Sequence, residues 1–180
     1  MSWRTPISES AGGGSASSGI ALSAPVLERV ELVRLWGRPR THRLVFTNGV
    51  FDLLHRGHVA SLVAARSLGD RLVVAVNSDE SASRLKGPSR PYQSDTDRAE
   101  ILAAIRFVDA VTIFGEDTPE SLIAELLPDV LVKGADYSEK EIAGAEAVRR
   151  AGGELVLVEL ESGLSTSGLV HRIQGGDGEE

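Results

Sequence analysis

Residues 46–59 read Phe-Thr-Asn-Gly-Val-Phe-Asp-Leu-Leu-His-Arg-Gly-His-Val. This stretch joins an apolar strand, predicted at residues 44–46, to an apolar helix through a turn that contains Gly49 and two histidines, His55 and His58. Glycine lets backbone N–H groups approach a ligand closely, and a helix N-terminus carries free N–H groups and partial positive charge. The stretch therefore predicts a site for a triphosphate, suited to nucleotidyl transfer.

Strand and helix patterns alternate along the rest of the chain. Short, valine-rich apolar runs predict five strands, at residues 44–46, 72–76, 110–114, 130–132 and 155–160. Helical spacing and cap residues predict helices at residues 24–36, 58–68, 94–106, 118–127, 143–151 and 166–174. This alternation predicts an α/β fold, a doubly wound parallel sheet of Rossmann-like type in a single domain. Ligands of such sheets bind at the carboxyl ends of the strands near a switch point, where the histidine turn lies.

Composition narrows the class of protein. The 180 residues carry a net charge of −7, contain no cysteine and are 42% apolar. The lack of cysteine excludes disulfides and thiolate metal sites, and the negative charge argues against a general nucleic-acid binder. No apolar run reaches the ~18–20 residues of a membrane span, and no signal-peptide pattern is present, so we expect a cytoplasmic protein with no membrane partner. We expect a disordered low-complexity tail at residues 1–22, a folded domain at 23–174 and a disordered acidic tail at 175–180.

Residues 49–58, Gly-Val-Phe-Asp-Leu-Leu-His-Arg-Gly-His, resemble the cytidylyltransferase-like branch of the HxGH nucleotidyltransferases. Further stretches are similar to the bacterial heptose 1-phosphate adenylyltransferases, namely residues 75–79, 84–87, 90–91, 116–119, 131–137 and 141–144. The resemblance implies a reaction of ATP with D-glycero-D-manno-heptose 1-phosphate that yields ADP-heptose and pyrophosphate, for lipopolysaccharide core or other heptose-containing glycans. It also implies a separate heptose kinase that supplies the sugar 1-phosphate, and a homo-oligomer, either a dimer or a larger assembly.

The chemistry of this reaction indicates which residue types the site needs. A sugar phosphate is mostly dianionic at pH 7, because its second pKa is near 6, so the reaction needs no general base and should depend on positioning and electrostatics. The resemblance implies that His55, His58 and Lys86 are catalytic, with Lys86 in a loop between two helical segments. Nucleotide contacts are implied for Thr47, Asn48, Gly49, Val50, Phe51, Asp52, Gly57, Lys133, Gly134, Asp136, Ser165, Thr166 and Ser167. Sugar-phosphate contacts are implied for Asn77, Asp79 and Arg90.

Several of these residues also have an ordinary structural interpretation. Asp52 suits a turn cap, Lys86 and Arg90 suit solvated surface positions, and the hydroxyls of residues 165–167 suit an N-cap. Ala135 stands where many members of the resembled family have glycine, and its methyl group would limit a close backbone approach. We expect Mg²⁺ to accompany ATP, held mainly by substrate phosphates, because no carboxylate cluster indicates a dedicated metal site.

Two other functions are compatible with the sequence. A cytidylyltransferase acting on glycerol 3-phosphate or another alcohol phosphate would use the same histidine turn. Glycerol-phosphate cytidylyltransferases carry an arginine shortly before their Ser-Thr-Thr element, whereas this chain has Glu161 and Ser162 there. A non-catalytic nucleotide-binding sensor would keep the fold without turnover, and the intact histidine pair and Lys86 argue against it.

Overall fold

The computed structural model describes residues 23–135, 142–158 and 166–175. The strands are β1 (Leu44–Gly49), β2 (Arg71–Asn77), β3 (Ala110–Phe114), β4 (Val130–Gly134) and β5 (Glu154–Val158). The helices are α1 (Arg29–Trp36), α2 (Arg56–Arg66), α3 (Asp79–Lys86), α4 (Asp95–Ala103), α5 (Glu120–Leu126), α6 (Ala145–Arg150) and α7 (Thr166–Ile173).

The five strands form one sheet in the order β3-β2-β1-β4-β5, and every neighbouring pair is parallel. The chain moves from β1 through β2 to β3 on one side, then returns to β4 on the other side of β1. The strand order therefore reverses between β1 and β4, where Thr47 lies opposite Val132. The predicted doubly wound parallel sheet is confirmed, and its switch point lies where β1 leads into the histidine turn.

Both faces of the sheet are buried, which explains why the strands are apolar at consecutive positions. Leu44 and Phe46 of β1 pack on one face with α1, α5 and α6, whereas Val45 packs on the other face with α2 and α4. The same alternation places Val73 and Leu72 of β2 in these two separate clusters. Side chains of a strand point to opposite faces in turn, so two helical layers require an unbroken apolar run.

The predicted helix at residues 24–36 is wrong over its first part, because α1 begins only at Arg29. The preceding segment runs alongside β3 instead. Leu27 donates its N–H to the carbonyl of Val111 over 2.8 Å, and Val111 donates its own N–H to the carbonyl of Pro25 over 3.0 Å. The edge of β3 offers backbone groups that need partners, and this demand outweighs the helical spacing of the apolar side chains.

Other element bounds differ from the predicted ones near the site. Helix α2 begins at Arg56, two residues before the predicted start. Lys86 is the last residue of α3 and not a loop residue, so its predicted loop placement is wrong. β1 and β4 run on to Gly49 and Gly134, which places both predicted contact segments directly at strand ends. The predicted tail at 1–22, all but the first residue of the predicted tail at 175–180, and residues 159–160 of the predicted last strand lie outside the described residues.

Arg40 secures the end of the sheet opposite the histidine turn. Its buried guanidinium bonds to the Asp129 carboxylate at 2.9–3.0 Å and to the carbonyls of Trp36, Leu126 and Leu127 at 2.6–3.3 Å. These carbonyls belong to the C-terminal ends of α1 and α5, where a positive charge is favourable. One side chain thus joins two helix ends to the residue that precedes β4.

Within the described residues, no helix combines the length and apolar character needed to cross a bilayer.

Candidate active site

Residues 50–55 connect β1 to α2 in a sharply bent turn. Phe51 and Leu53 adopt the left-handed region, with φ of 52° and 49°. This conformation costs a non-glycine residue about 1–2 kcal/mol, so surrounding contacts must hold the turn. A Cβ added to Gly49 would lie 3.3 Å from the Phe51 ring, which explains why the small residue stands there. The turn folds back over the end of β1.

The two histidines cap the helix that the turn leads into. The Nδ1 atom of His55 accepts the N–H of Gly57 over 3.1 Å, and the Nδ1 atom of His58 accepts the N–H of His55 over 3.4 Å. The rings stack with centroids 3.9 Å apart and planes 27° apart. An Nδ1 atom that accepts a hydrogen bond carries no proton, so both imidazoles take the tautomer with the proton on Nε2. The N-terminus of α2 is therefore flanked by two neutral Nε2–H donors.

The surroundings of the histidine pair favour the uncharged form. The pKa of His58 is lowered from 6.5 to about 4, mainly by burial and in addition by the neighbouring His55, while the Asp52 carboxylate opposes both effects. Burial also lowers the pKa of His55. Both rings are consequently neutral at pH 7. They offer an anion hydrogen-bond donors, while the positive potential comes from the helix end.

Asp52 points into the protein and holds the turn against a distant loop. Its carboxylate, only 4% exposed, accepts a hydrogen bond from Arg90 Nη1 at 2.6 Å and the backbone N–H groups of Tyr92 and Gln93 at 3.0 and 3.2 Å. Arg90 also lies 4.4 Å from the centroid of the Tyr92 ring. These contacts favour the turn-holding interpretation of Asp52. They place Arg90, a predicted sugar-phosphate contact, beside the signature turn.

Sequence reasoning missed Arg98, which is fully buried in α4. Its Nη1 donates to the carbonyl of Val50 at 2.6 Å, its Nε to the carbonyl of Gln93 at 3.0 Å, and its Nη2 to Asp79 Oδ1 at 2.7 Å. One guanidinium thus contacts the turn, the Arg90 loop and the first residue of α3. A signal was present in the sequence, because Arg98 lies four residues before Leu102 on the apolar face of α4, where a charge requires an explanation.

The ends of β4 and α7 complete one side of the site. Thr47 donates its hydroxyl to the carbonyl of Val132 over 3.2 Å, which places Lys133 and Gly134 beside the end of β1. Thr166, the first residue of α7, donates its hydroxyl to the carbonyl of Asp52 over 2.7 Å. Of the predicted contacts in these regions, Ser167 follows within α7, whereas Asp136 and Ser165 lie outside the described residues.

The remaining predicted contacts lie on α3 or directly before it. Asn77, at the end of β2, is buried and donates its side-chain N–H to Ser81 Oγ over 2.9 Å, so its amide braces α3. Asp79 engages Arg98, and Lys86 stands exposed at the far end of the helix. Near the turn, the side-chain oxygen of Asn48 is buried and accepts no hydrogen bond from the described residues.

Parallel strands, a bent turn after the central strand and two histidines at a helix start define a nucleotide-binding class of fold. The model of the family described as cytidylyltransferase-like matches residues 46–166. This chain belongs to the cytidylyltransferase-like family, a family of nucleotidyltransferases.

Two curated relatives are more than half identical to this chain over the matched residues. The chain is 55% identical over 147 residues to the bifunctional protein HldE of Gluconacetobacter diazotrophicus, covering 82% of this chain and 30% of that protein. It is 53% identical over 149 residues to the bifunctional protein HldE of Edwardsiella ictaluri, covering 83% and 31% respectively. The chain therefore spans about three-tenths of the length of these curated relatives.

Solved structures agree on the fold. A lipopolysaccharide core biosynthesis protein from Thermoplasma volcanium is 27% identical, with a TM-score of 0.55 over 67% of this chain and 98% of that chain. A pantoate-beta-alanine ligase from Francisella tularensis, complexed with beta-gamma ATP and beta-alanine, reaches a TM-score of 0.54 at 14% identity, covering 83% of this chain and 73% of its own. The second likeness concerns the fold alone.

Proposed function

We propose that this chain is an adenylyltransferase that converts ATP and D-glycero-D-manno-heptose 1-phosphate to ADP-heptose and pyrophosphate. The observation that carries the proposal is the pair of stacked, neutral histidines that present Nε2–H donors at the N-terminus of α2, at the switch point of the sheet. The identity of 55% to a bifunctional HldE protein supports the choice of sugar phosphate, as does the likeness to a lipopolysaccharide core biosynthesis protein. A separate heptose kinase would supply the sugar 1-phosphate.

The reaction is a direct displacement at phosphorus. An oxygen of the sugar phosphate forms a bond to the α-phosphorus of ATP, and the bond from that phosphorus to the oxygen bridging to the β-phosphate breaks. The electron pair leaves with pyrophosphate, so negative charge grows on the α-phosphoryl oxygens and on the leaving group. Nε2–H donors of His55 and His58 would stabilise this charge without a change of protonation.

The other predicted contacts have defined parts in this scheme. Lys86, exposed at the end of α3, would bind a phosphate of ATP or of the sugar. The turn after β1, the end of β4 and the start of α7 would hold the nucleotide, with backbone N–H groups and the hydroxyls of Thr166 and Ser167 on its phosphates. Asp136 and Ser165 keep the roles that the resemblance implies.

A divalent cation accompanies ATP in this kind of reaction, and we assign Mg²⁺ to this chain. Among the described residues, no group of three or more His, Asp and Glu side chains is placed to hold a metal ion. Mg²⁺ prefers oxygen ligands and usually keeps several waters, so we expect substrate phosphates and water to bind it. The cation would neutralise charge on the triphosphate, while the protein binds and orients the same phosphates.

Pyrophosphate release tests the proposed reaction. We would combine ATP, CTP, GTP or UTP with each anomer of heptose 1-phosphate or with glycerol 3-phosphate, in the presence of Mg²⁺. Release with ATP and a heptose 1-phosphate is expected. Release with CTP and glycerol 3-phosphate would instead establish the cytidylyltransferase alternative, and ATP binding without release from any pair would support a nucleotide sensor.

Substitutions would then locate the chemistry. His58→Ala is expected to lower kcat by at least ~100-fold, in the range measured for loss of one donor to a transition-state oxyanion. His171→Ala is the matched control, because His171 is an exposed histidine near the end of α7 and should leave kcat unchanged. Near-normal turnover of a folded His58→Ala protein would remove His58 from the catalytic scheme.

A further inference from the structure

Arg98 places its charge inside the protein at a point where three segments of the proposed site meet. A fully buried guanidinium is expensive unless its donors are satisfied, and here they are directed to Val50, Gln93 and Asp79 at 2.6–3.0 Å. Val50 belongs to the signature turn, Gln93 to the loop bound by Asp52, and Asp79 to α3. These bonds fix the relative positions of elements that are distant in sequence.

Helix α3 connects the Arg98 contact to Lys86, because Arg98 bonds to Asp79 at the start of the helix and Lys86 lies at its end. Asp79 is the first residue of the helix and Lys86 the last, so the eight-residue helix spans about 10 Å at a rise of 1.5 Å per residue. A rotation of about 10° at the Asp79 end would therefore move Lys86 by almost 2 Å. Misplacement of a reacting group by ~1 Å can cost about 100-fold in rate.

Helix α3 has contacts on several sides. At its start, Asn77 donates its side-chain N–H to Ser81 Oγ at 2.9 Å, and Asp79 donates its N–H to Asp95 Oδ2 at 3.1 Å. On the side of β3, Ser81 Oγ donates to the carbonyl of Glu116 at 2.8 Å and Arg84 Nε donates to Asp117 at 2.6 Å. These bonds hold α3 to the loop after β3, and they say nothing about its distance from the histidines. The link from α3 to the signature turn runs from Asp79 through Arg98 to Val50.

We infer that Arg98 is a positioning residue, whose buried guanidinium keeps Lys86 and the two histidines at the separation that one triphosphate requires. The inference rests on the proposed function for the role of Lys86. Arg98 touches no reacting atom and acts through Val50 and Asp79. Lysine in its place would keep the charge but would lose the planar fork that reaches three acceptors in different directions.

A double-mutant cycle between Arg98 and Lys86 tests this role. The four proteins are wild type, Arg98→Met, Lys86→Ala and the double variant. For each we would measure kcat and KM by pyrophosphate release, and the Kd of ATP with Mg²⁺ when no sugar phosphate is present. If Arg98 positions Lys86, the Lys86→Ala loss should shrink at least fivefold in the Arg98→Met background. Arg98→Lys should recover little of the lost kcat.

Arg40 provides the matched control, because it is also a buried arginine that bonds to several carbonyls but lies at the opposite end of the sheet. Arg40→Met should lower the melting temperature without changing the kcat of the folded protein or the size of the Lys86→Ala effect. If Arg98→Met does not fold, Asp79→Asn weakens the same link at a partly exposed position and should give a smaller coupling of the same sign.

The outcomes separate the two proposals. If the losses caused by Arg98→Met and Lys86→Ala simply multiply in the double variant, in both kcat and ATP affinity, the two residues act independently and the positioning role is overturned. An Arg98→Met protein with a lower melting temperature but unchanged kcat, like Arg40→Met, would also overturn it. A wild-type protein that binds ATP but releases no pyrophosphate would overturn the proposed function alone. In that case the double-mutant cycle measured on the Kd of ATP would still test the positioning role of Arg98. Wild-type protein that binds no ATP would overturn both.

Discussion

Folding stability should fall between pH 7 and pH 5 because His58 is held neutral in the folded protein. Its folded pKa is about 4, below the ordinary value of 6.5 that applies to the unfolded chain. The unfolded chain therefore binds a proton at pH 5 that the folded protein does not. The contribution of His58 is fully present above pH 6.5 and is lost progressively as the pH falls towards 4.

The size of this loss follows from the two pKa values. Between pH 6.5 and pH 5 the unfolded imidazole gains its proton while the folded one does not, which is about 1.5 pH units at ~1.4 kcal/mol each. The expected loss of unfolding free energy is therefore about 2 kcal/mol. Since the ring retains some contact with water, this is an upper value. His55, whose pKa is also lowered by burial, adds to it in the same direction.

Urea unfolding at pH 7, 6 and 5 would measure the effect in wild type and in His58→Gln. Carboxyl groups also respond to pH, so the informative quantity is the difference between the two proteins. Wild type should lose about 1–2 kcal/mol more than His58→Gln between pH 7 and pH 5. Substitution of the exposed His171 by Gln should leave the wild-type pH dependence intact. Parallel curves for wild type and His58→Gln would refute the reasoning.

Three further substitutions test other parts of the structure by urea unfolding. Asp52→Ala removes a buried partner of Arg90 and two backbone N–H groups, so it should cost about 3–5 kcal/mol; a cost below about 1 kcal/mol would show that the bond network is not maintained in solution. Gly144→Ala should lower the free energy of unfolding more than Gly152→Ala, although both glycines have φ near +80°. A Cβ added at Gly144 would lie 2.8 Å from Ile123, whereas a Cβ added at Gly152 meets nothing within 4 Å. Equal losses for these two glycine variants would mean that the contact with Ile123 relaxes freely.

The sheet and its ligand end could be predicted because local patterns and global packing agree there. Apolar runs such as residues 72–76 have no alternative to burial on both faces, and the glycine turn between a strand and a helix leaves little choice of geometry. The left-handed backbone of Phe51 and Leu53 could not be foreseen, since neither residue favours that region. It depends on the bond from Arg98 to Val50 and on the bond from Arg90 to Asp52, and both arginines lie more than thirty residues beyond the turn in the sequence.

Helix α3 is a polar helix, which the capping residues predict but the hydrophobic spacing does not. Residues 79–86 contain only two apolar side chains, so hydrophobic spacing gives no helix there. The capping pattern does, because Ser78 accepts the N–H of Ser81 over 3.2 Å, acidic residues fill the first turn and Gly87 follows the last. At residues 24–27 the reverse holds. Their hydrophobic spacing predicts a helix, but their backbone groups bond to β3 instead.

The pairing of residues 24–27 with β3 has a consequence for solubility. A bare edge strand presents a row of unpaired N–H and C=O groups on which another chain can build a sheet. Here Pro25 and Leu27 occupy both backbone groups of Val111 in the middle of β3, and Ala24 is tied by its N–H to the carbonyl of Ala103. Residues 24–27 therefore cover part of the edge of β3. Removing residues only as far as position 22 leaves this segment in place, whereas removing residues to position 28 would expose the apolar edge of β3 and favour self-association.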